Sequence, residues 1–551
     1  MANCVFSAVG DGCIIETLVD EESQERSDSI GNDFRACNVG SRKCYDWRST
    51  AIILGFEFFE SLCLYGISTN LVIYLTKVIH ESNTAAAAIV ANWTGTNFLT
   101  PLLVALLADS YLGNYKTILF SSIIYIIGTL IVTFSATIQG SKPFIYKRYS
   151  PSTGSQKQTL FVGLYLIAFG SGGVKSSLLP LGADQFDDNN PTQQEKKASF
   201  FSWFYFCINL GALVSSTLTV WIKENVSWSV GYGIASVCMA LATSSFLLGT
   251  PTFRPGNLKN DAREEDINCL HEVEGSYSLV ATDDEFRFLD KGAKLSSLAA
   301  EGTNFASTWR LRRLAPFAQL KSLVGLFPIW LTNILYSMAY VQIYTTFIEQ
   351  GRVMDKKIGS LTIPPASLVA FQVLSSMSCV LLCDKILLVT VRRFLGNGHG
   401  LTHLQRMGVG HFLMILAMAI AATLESKRLE NVAESKAISI LWQLPQFFMV
   451  GCSEVFCYAG QLEFFYDQGP NSMKSISSAI SLVTIALGNY LNSLMLMVIE
   501  HIMSNAKSTG WIPDDLNKGH LDEFFWLLTG ICFVNFVAYL CCASRYMYRS
   551  S

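Results

Sequence analysis

The sequence predicts an all-α membrane protein whose twelve transmembrane helices form two six-helix bundles. Half of its 551 residues are hydrophobic and only 15% are charged, whereas soluble domains contain about 25% charged residues. Apolar runs of about 20 residues recur along the chain, and a helix needs about that length to cross the hydrocarbon core. Because hydrocarbon offers no partners to backbone groups, each run must be helical. One long polar segment divides the runs into six and six, as in two homologous bundles.

The predicted spans are about 50–76, 90–110, 117–138, 159–181, 200–222, 229–249, 322–348, 365–390, 407–424, 437–461, 475–499 and 524–545. The corresponding domains are an N-terminal tail (1–48), a first bundle (49–250), a central loop (251–321), a second bundle (322–545) and a C-terminal tail (546–551). With both termini placed in the cytoplasm, Lys and Arg are nearly balanced between the short loops of the two sides. The positive-inside rule therefore gives little help with orientation.

Several function classes find no support in the sequence. The net charge is -3, and no long basic block indicates binding to nucleic acid. We find no nucleophile–His–acid set, phosphate-binding loop or dinucleotide motif, so an enzyme is not expected. His399 and His403 have the spacing of a metal pair, but they flank glycines in a loop with no third ligand. We therefore predict no metal site and no cofactor, and the sequence leaves the oligomeric state open.

Span one carries two carboxylates, Glu57 and Glu60. An ionisable residue in a span costs about 2.5–3.5 kcal/mol on insertion scales, so such residues usually face a water-filled cavity or a partner. A spacing of three places both on one helix face. Two neighbouring carboxyl groups in a low dielectric cannot easily both be charged, so one is expected to hold a proton. This favours a role in proton coupling; the alternative is that both merely touch water or a loop arginine near the cytoplasmic end.

Spans four and ten carry opposite charges at equivalent positions of a six-plus-six repeat. Lys175 follows the glycine-rich run Gly170–Gly173 and is the only Lys or Arg that we place deep in a span, although it could instead reach out to the interface. Glu454 lies within span ten. Facing each other across one cavity, the two side chains could bind the ends of a zwitterion or pair to close a gate. The alternative is a structural ion pair.

Spans five and seven add polar and aromatic groups. Span five contributes Tyr205 and Asn209, and span seven contributes Tyr340, Gln342 and Tyr344. A mostly apolar pocket with a few hydrogen-bonding groups is typical of small-molecule sites. Each aromatic residue, taken alone, could equally be part of the helix packing.

Two loops on the predicted cytoplasmic side resemble conformational switches. Asp109 and Gly113 lie in the short connection after span two, and Asp384 lies in the corresponding connection after span eight. Charged groups in such loops can hold one conformation and release it in another.

Taken together, these segments resemble the proton-coupled oligopeptide transporter family over about residues 45 to 545. The resemblance is carried by Ala108–Gly113, Gly182–Asp187, Phe204–Gly211, Ile363–Leu368, Gly400–Gly408 and Gly460–Asp467. The last three are similar to the plant branch, whose members carry nitrate, di- and tripeptides, hormones or specialised metabolites. The resemblance implies the major facilitator fold, cytoplasmic termini, and symport of a small solute with protons by alternating access. It also marks Glu57, Glu60, Lys175 and Glu454 as the polar centre.

The chain departs from the family pattern at Ser61, where the family has Arg or Lys after the two glutamates. Loss of this cation makes two alternatives plausible: a proton-independent facilitator or exporter, and a sensor that binds its solute without moving it. Some nitrate carriers of this branch have His two residues before the span-seven Gln; here that residue is Tyr340, so nitrate recognition by that route is not expected. The sequence does not choose between the plasma membrane and the vacuolar membrane.

Overall fold

The structure is a computed structural model that describes residues 47–107, 112–140, 154–186, 191–253, 326–359, 361–382, 402–434, 436–468, 474–505 and 510–546. The helices that coincide with the first six predicted spans are α1 (Trp47–Ser68 and Leu71–Lys77), α2 (Asn83–Leu107), α3 (Asn114–Gly140), α4 (Gly154–Ala183), α5 (Pro191–Val214, Ser215–Thr219 and Val220–Asn225) and α6 (Trp228–Gly249). Those that coincide with the last six are α7 (Leu326–Arg352), α8 (Pro365–Leu368 and Val369–Leu382), α9 (His403–Ala433), α10 (Ile440–Gln443, Leu444–Glu454, Val455–Ala459 and Gly460–Gln468), α11 (Lys474–Asn505) and α12 (Leu521–Arg545).

Ten of these helices are long and apolar enough to cross a membrane. The other two are α2 and α8, and α8 contains the shorter apolar helix Pro365–Val380. The prediction of an all-α membrane fold is confirmed. One small addition to it is a two-stranded antiparallel hairpin between α7 and α8, formed by β1 (Lys357–Ile358) and β2 (Leu361–Thr362).

Close packing of α3 against α4 depends on Gly170. A Cβ atom at this position would lie 2.7 Å from the backbone nitrogen of Tyr125 on α3, so a larger residue would push the two helices apart. Small residues at helix contacts allow such approach in membrane proteins. As a result, the buried Tyr125 reaches α1, where its hydroxyl donates to Glu60.

Within the described residues, four helices lose regular α geometry between their first and last turns. α1 is interrupted between Ser68 and Leu71, and α7 contains a 3₁₀ turn at Val341–Tyr344. α5 and α10 each contain a π turn, at Ser215–Thr219 and Val455–Ala459. Non-α turns within helices are frequent at functional sites. The turns in α7 and α10 lie at the predicted site residues, since one includes Gln342 and the other directly follows Glu454.

Hydrogen bonds join the two halves of the chain at one face of the molecule. We call it the far face and define it by Thr76, Asn83, Arg352 and the segment Ile512–Asp514. Arg352 of α7 donates to Thr76 Oγ1 and to Asn83 Oδ1, at 2.9 Å each. Asn83 in turn donates to the carbonyl oxygen of Pro513 at 2.8 Å. These bonds link α1 and α2 to α7 and to the segment before α12, so the structure represents a conformation closed at this face.

Candidate functional site

The two carboxylates of α1 lie together inside the first half of the molecule. Glu57 is 6% exposed and Glu60 is 1% exposed, on the shared helix face that their spacing predicts. Glu60 Oε1 accepts a hydrogen bond from the Tyr125 hydroxyl at 3.4 Å, and Glu57 is hydrogen-bonded to the Ser61 hydroxyl. Glu57 and Glu60 also interact electrostatically with each other. Two acids this close can share protons, because ionising both in a low dielectric is costly.

The ammonium of Lys175 faces these carboxylates from α4. It interacts electrostatically with both Glu57 and Glu60, and its Nζ lies 5.2 Å from the centroid of the Phe98 ring. It forms no direct ion pair with any residue in the part of the chain that the structure describes. The half-buried ammonium therefore keeps hydrogen-bonding capacity for a ligand.

Glu454 lies in the second half of the molecule, where hydrogen bonds fix its carboxylate. Its Oε2 accepts from Gln372 and, at 3.0 Å, from Ser376, both on α8. Tyr340 of α7 is also hydrogen-bonded to this carboxylate. Fixed donors on two neighbouring helices orient the carboxylate before any solute binds.

Tyrosines from both halves surround Glu454. Tyr65 of α1 and Tyr205 of α5 interact electrostatically with it from the first half, as Tyr344 does from α7. Tyr340 and Tyr344 meet edge to face with ring centroids 6.4 Å apart. Lys175 and Glu454 therefore lie in opposite halves, and Tyr65 links their surroundings because it interacts electrostatically with both Glu60 and Glu454. A few polar groups among aromatic side chains are typical of a small-solute site.

The amides of two predicted site residues, Gln342 and Asn209, are hydrogen-bonded to groups other than Glu454. Gln342 is fully buried; its Nε2 donates to Asn492 Oδ1 at 2.7 Å and its Oε1 accepts from Thr346 at 2.8 Å. Asn209 donates from Nδ2 to the carbonyl oxygen of Tyr205 at 2.9 Å. The structure thus brings Tyr205, Tyr340 and Tyr344 to Glu454, whereas the Gln342 amide belongs to a separate buried network.

Of the predicted gating residues, Gly113 is described and Asp109 and Asp384 lie outside the described residues. Gly113 has a φ of 72°, a left-handed conformation that favours glycine. Its carbonyl oxygen accepts from the backbone nitrogen and the hydroxyl of Thr117 in the first turn of α3. Gly113 therefore forms the turn that starts α3, as the sequence predicts.

The expectation that Lys175 is the only base deep in a span is wrong. Lys223 and Arg428 are each 1% exposed, whereas Lys175 is only half-buried. The error has a simple cause, since α5 extends to Asn225 and α9 to Ala433, beyond the predicted span limits. Arg428 is paired with the buried Glu425, with its Nη2 2.6 Å from Glu425 Oε1.

Several site residues were not predicted, namely Tyr65, Tyr125, Gln372, Ser376 and Tyr458. One signal for them exists in the sequence, because Gln372 and Ser376 form a polar pair at i, i+4 within the apolar run of span eight. The tyrosines have no comparable signal. Tyr458, for example, packs edge to face on Tyr340 at 5.2 Å, a contact between two helices far apart in sequence.

Comparison with known proteins identifies the family. A family profile described as PTR2, POT family, matches residues 115–512. Among relatives from Arabidopsis thaliana, Protein NRT1/PTR FAMILY 8.3 is 42% identical over 572 residues, covering 98% of this chain and 98% of that protein. Protein NRT1/PTR FAMILY 8.5 is 43% identical over 528 residues, covering 90% and 89%.

Solved structures give the same fold. The crystal structure of an auto-inhibited POT family peptide transporter superposes with a TM-score of 0.69 at 23% identity, covering 92% of this chain and 99% of that one. The predicted resemblance is thereby confirmed, and the chain belongs to the POT family of secondary transporters of small solutes.

Proposed function

We propose that this protein couples the movement of a small organic solute to protons, with Lys175 binding the anionic end of the solute and Glu454 its cationic or hydrogen-bond-donating end. The observation that carries the proposal is the placement of opposite charges in opposite halves, with Tyr65 interacting with both Glu60 and Glu454. A solute bridging both charges contacts both halves at once. Its binding is therefore sensitive to their relative movement, as alternating access requires.

Glu57 and Glu60 are the proposed proton carriers. Their carboxyl groups interact with each other and with Lys175, so a proton on one of them and an anionic group at Lys175 affect each other's binding. Protonation of Glu57 or Glu60 then weakens the electrostatic attraction between the carboxylates and Lys175, which leaves the ammonium available to the solute. In the reverse step, solute departure lets Lys175 stabilise the ionised carboxylates and favours proton release.

Uptake into proteoliposomes tests this proposal. Nitrate, a dipeptide and a panel of plant metabolites are each offered with and without an inward proton gradient. Accumulation of one solute above equilibrium only with the gradient is the expected result. Equilibration without accumulation would instead identify a facilitator, and saturable binding with no flux would identify a sensor.

We propose that Asp109, Gly113 and Asp384, which the sequence predicts in the connections after spans two and eight, act as conformational switches on the side where the termini are predicted to lie. We propose further that this side is cytoplasmic and that the protein resides in the plasma membrane or the vacuolar membrane. Epitope tags at either terminus, probed in intact and permeabilised cells, test the orientation: staining without permeabilisation would reject it.

A further inference from the structure

Lys223 of α5 is a buried ammonium that the proposed transport cycle does not use. It is 1% exposed, and no carboxylate among the described residues forms an ion pair with it. The neighbouring Glu224 interacts instead with Lys77 and Lys356. Burying a charge without a counter-ion is costly, so the presence of this lysine in a membrane helix points to a function.

The surroundings of Lys223 are built to receive its side chain. Nζ donates to the carbonyl oxygen of Gly66 on α1 and lies 4.0 Å from the centroid of the Tyr232 ring on α6. Gly231 leaves room for the stem, because a Cβ atom there would lie 2.1 Å from Lys223 Cγ. Among the described residues, the ammonium thus contacts one carbonyl oxygen and one aromatic face, which attracts a cation, and it also interacts electrostatically with Cys63.

A short series of side chains leads from Lys223 to the proton-carrying carboxylates. Cys63 of α1 interacts electrostatically with both Lys223 and Glu60. Tyr125 is hydrogen-bonded both to Cys63 and to Glu60. Gly66 lies six residues after Glu60 on the same helix, a rise of about 9 Å. A positive charge bound near Gly66 is separated from Glu60 by protein rather than water, and charges interact over longer distances in such a medium.

The other groups facing this series are few. Lys175, Glu57 and Tyr65 interact with Glu60. Cys207 of α5 interacts with Glu57, and Cys238 of α6 interacts with Cys63. Tyr74 packs edge to face on Tyr232 at 5.2 Å. The segment Pro365–Leu368 of α8, which also contacts the end of α5, contains no titratable side chain. Of the two cations among these groups, Lys175 interacts with Glu57 and Glu60 directly, whereas Lys223 is connected to Glu60 through Cys63 and Tyr125.

We propose that Lys223 is a positioning residue. Its ammonium, bound to α1 at the Gly66 carbonyl, supplies part of the positive charge that the family pattern has at the position of Ser61. It holds α1 through the Gly66 carbonyl and favours the ionised form of Glu57 and Glu60 through its charge. The inference rests on the proposed role of these two residues as proton carriers. Lys223 is not among the residues that the family resemblance marks as the polar centre.

The test is the pH dependence of carboxyl labelling in the purified full-length protein. A hydrophobic carbodiimide reacts with protonated buried carboxyl groups, and mass spectrometry quantifies the adduct on the peptide that contains Glu57 and Glu60. Lys223→Gln removes the charge but keeps a donor for Gly66, whereas Lys223→Met removes both. Lys77→Gln, which removes a charge from an exposed position on α1, is the matched control.

Lys223→Gln and Lys223→Met are both expected to raise the half-labelling pH by about 0.5 to 1 unit, while Lys77→Gln leaves it unchanged. Adding Ser61→Lys to Lys223→Gln should return the value toward that of the wild type. An unchanged value in Lys223→Gln would overturn the proposal, as would a shift confined to Lys223→Met or one that Ser61→Lys fails to reverse. Those last two results would assign a purely structural role.

Labelling reports protonation whether or not a solute moves. The result is therefore independent of the uptake assay that tests the proposed function. A protein that shows the labelling shift but no gradient-driven accumulation would retain the Lys223 inference and lose proton symport. Gradient-driven accumulation with no labelling shift would support proton symport and overturn the Lys223 inference.

Discussion

The Ser61 hydroxyl is hydrogen-bonded to the Glu57 carboxylate, one helical turn away on α1. The position where the family pattern has a cation thus holds a neutral donor in this chain. A hydroxyl stabilises a carboxylate less than a charged group does. The charge balance of the α1 carboxylates therefore depends on Lys175 and, as we infer, on Lys223.

Ser61→Arg is expected to strengthen the dependence of transport on external pH. The added cation stabilises ionised Glu57 and Glu60 and so eases proton release within each cycle, which should change the ratio of uptake at acidic and neutral pH by about threefold or more. Uptake at a series of external pH values measures it. Ser61→Ala, which removes the hydroxyl without adding charge, is the control; an identical pH profile in Ser61→Arg would argue against the prediction.

Lys175→Ala is expected to abolish solute uptake while surface expression remains normal. The variant removes the ammonium that we propose binds the solute, and losing a buried charged partner of a ligand typically costs about 2–5 kcal/mol. Uptake normalised to surface protein is the measurement. Lys157→Ala is the matched control, because Lys157 lies on the same helix but is 41% exposed and pairs with Glu81. Undiminished flux in Lys175→Ala would remove this lysine from the site.

Glu454→Gln is expected to weaken binding of solutes that carry a positive group. The amide keeps the size of the side chain but loses the charge that attracts a cation, so KM for an amine-containing solute should rise about tenfold or more. The comparison is between KM values for that solute and for an analogue lacking the amine. Glu500→Gln, at an exposed position near the end of α11, serves as the control. An equal rise for both solutes would show that Glu454 acts on the fold instead.

Asn83→Ala is expected to open the far face. The variant removes the bond from Arg352 and the bifurcated bond from Asn83 Nδ2 to the Pro513 and Asp514 carbonyl oxygens; counted as two, each contributes about 0.5–1.5 kcal/mol. A cysteine introduced at the buried Ile512 should then react faster with a membrane-impermeant maleimide, by roughly fivefold to a hundredfold if the two losses add.

Asn431→Ala provides the matched comparison for this far-face experiment. Its amide donates only within α9, to the carbonyl oxygen of Lys427, so the labelling rate should stay at the wild-type value. A rate in Asn83→Ala equal to that in Asn431→Ala would mean that the bonds of Asn83 do not limit opening.

Much of the site could be predicted because charges are rare in the apolar runs. For this reason four residues stand out in the sequence: Glu57, Glu60, Lys175 and Glu454. In the structure Glu57 and Glu60 interact with Lys175, and Glu454 is hydrogen-bonded to side chains of α7 and α8. Gln342 shows the limit of that signal. It is polar and lies within a span, as a solute-binding residue would, yet Asn492 and Thr346 satisfy its amide.

The sequence by itself determined that the chain is helical and spans a membrane, since backbone groups in hydrocarbon must be satisfied within each segment. It also determined that Glu57 and Glu60 share a face, because the helical repeat sets that geometry. Only the tertiary structure decided which groups meet across helices: Tyr125 with Glu60, Gln372 with Glu454, and Lys223 with the Gly66 carbonyl. Such meetings depend on the offset and rotation of each helix against its neighbours. Those are set by the close fit of residues far apart in the chain, such as Gly170 against Tyr125 and Gly231 against Lys223.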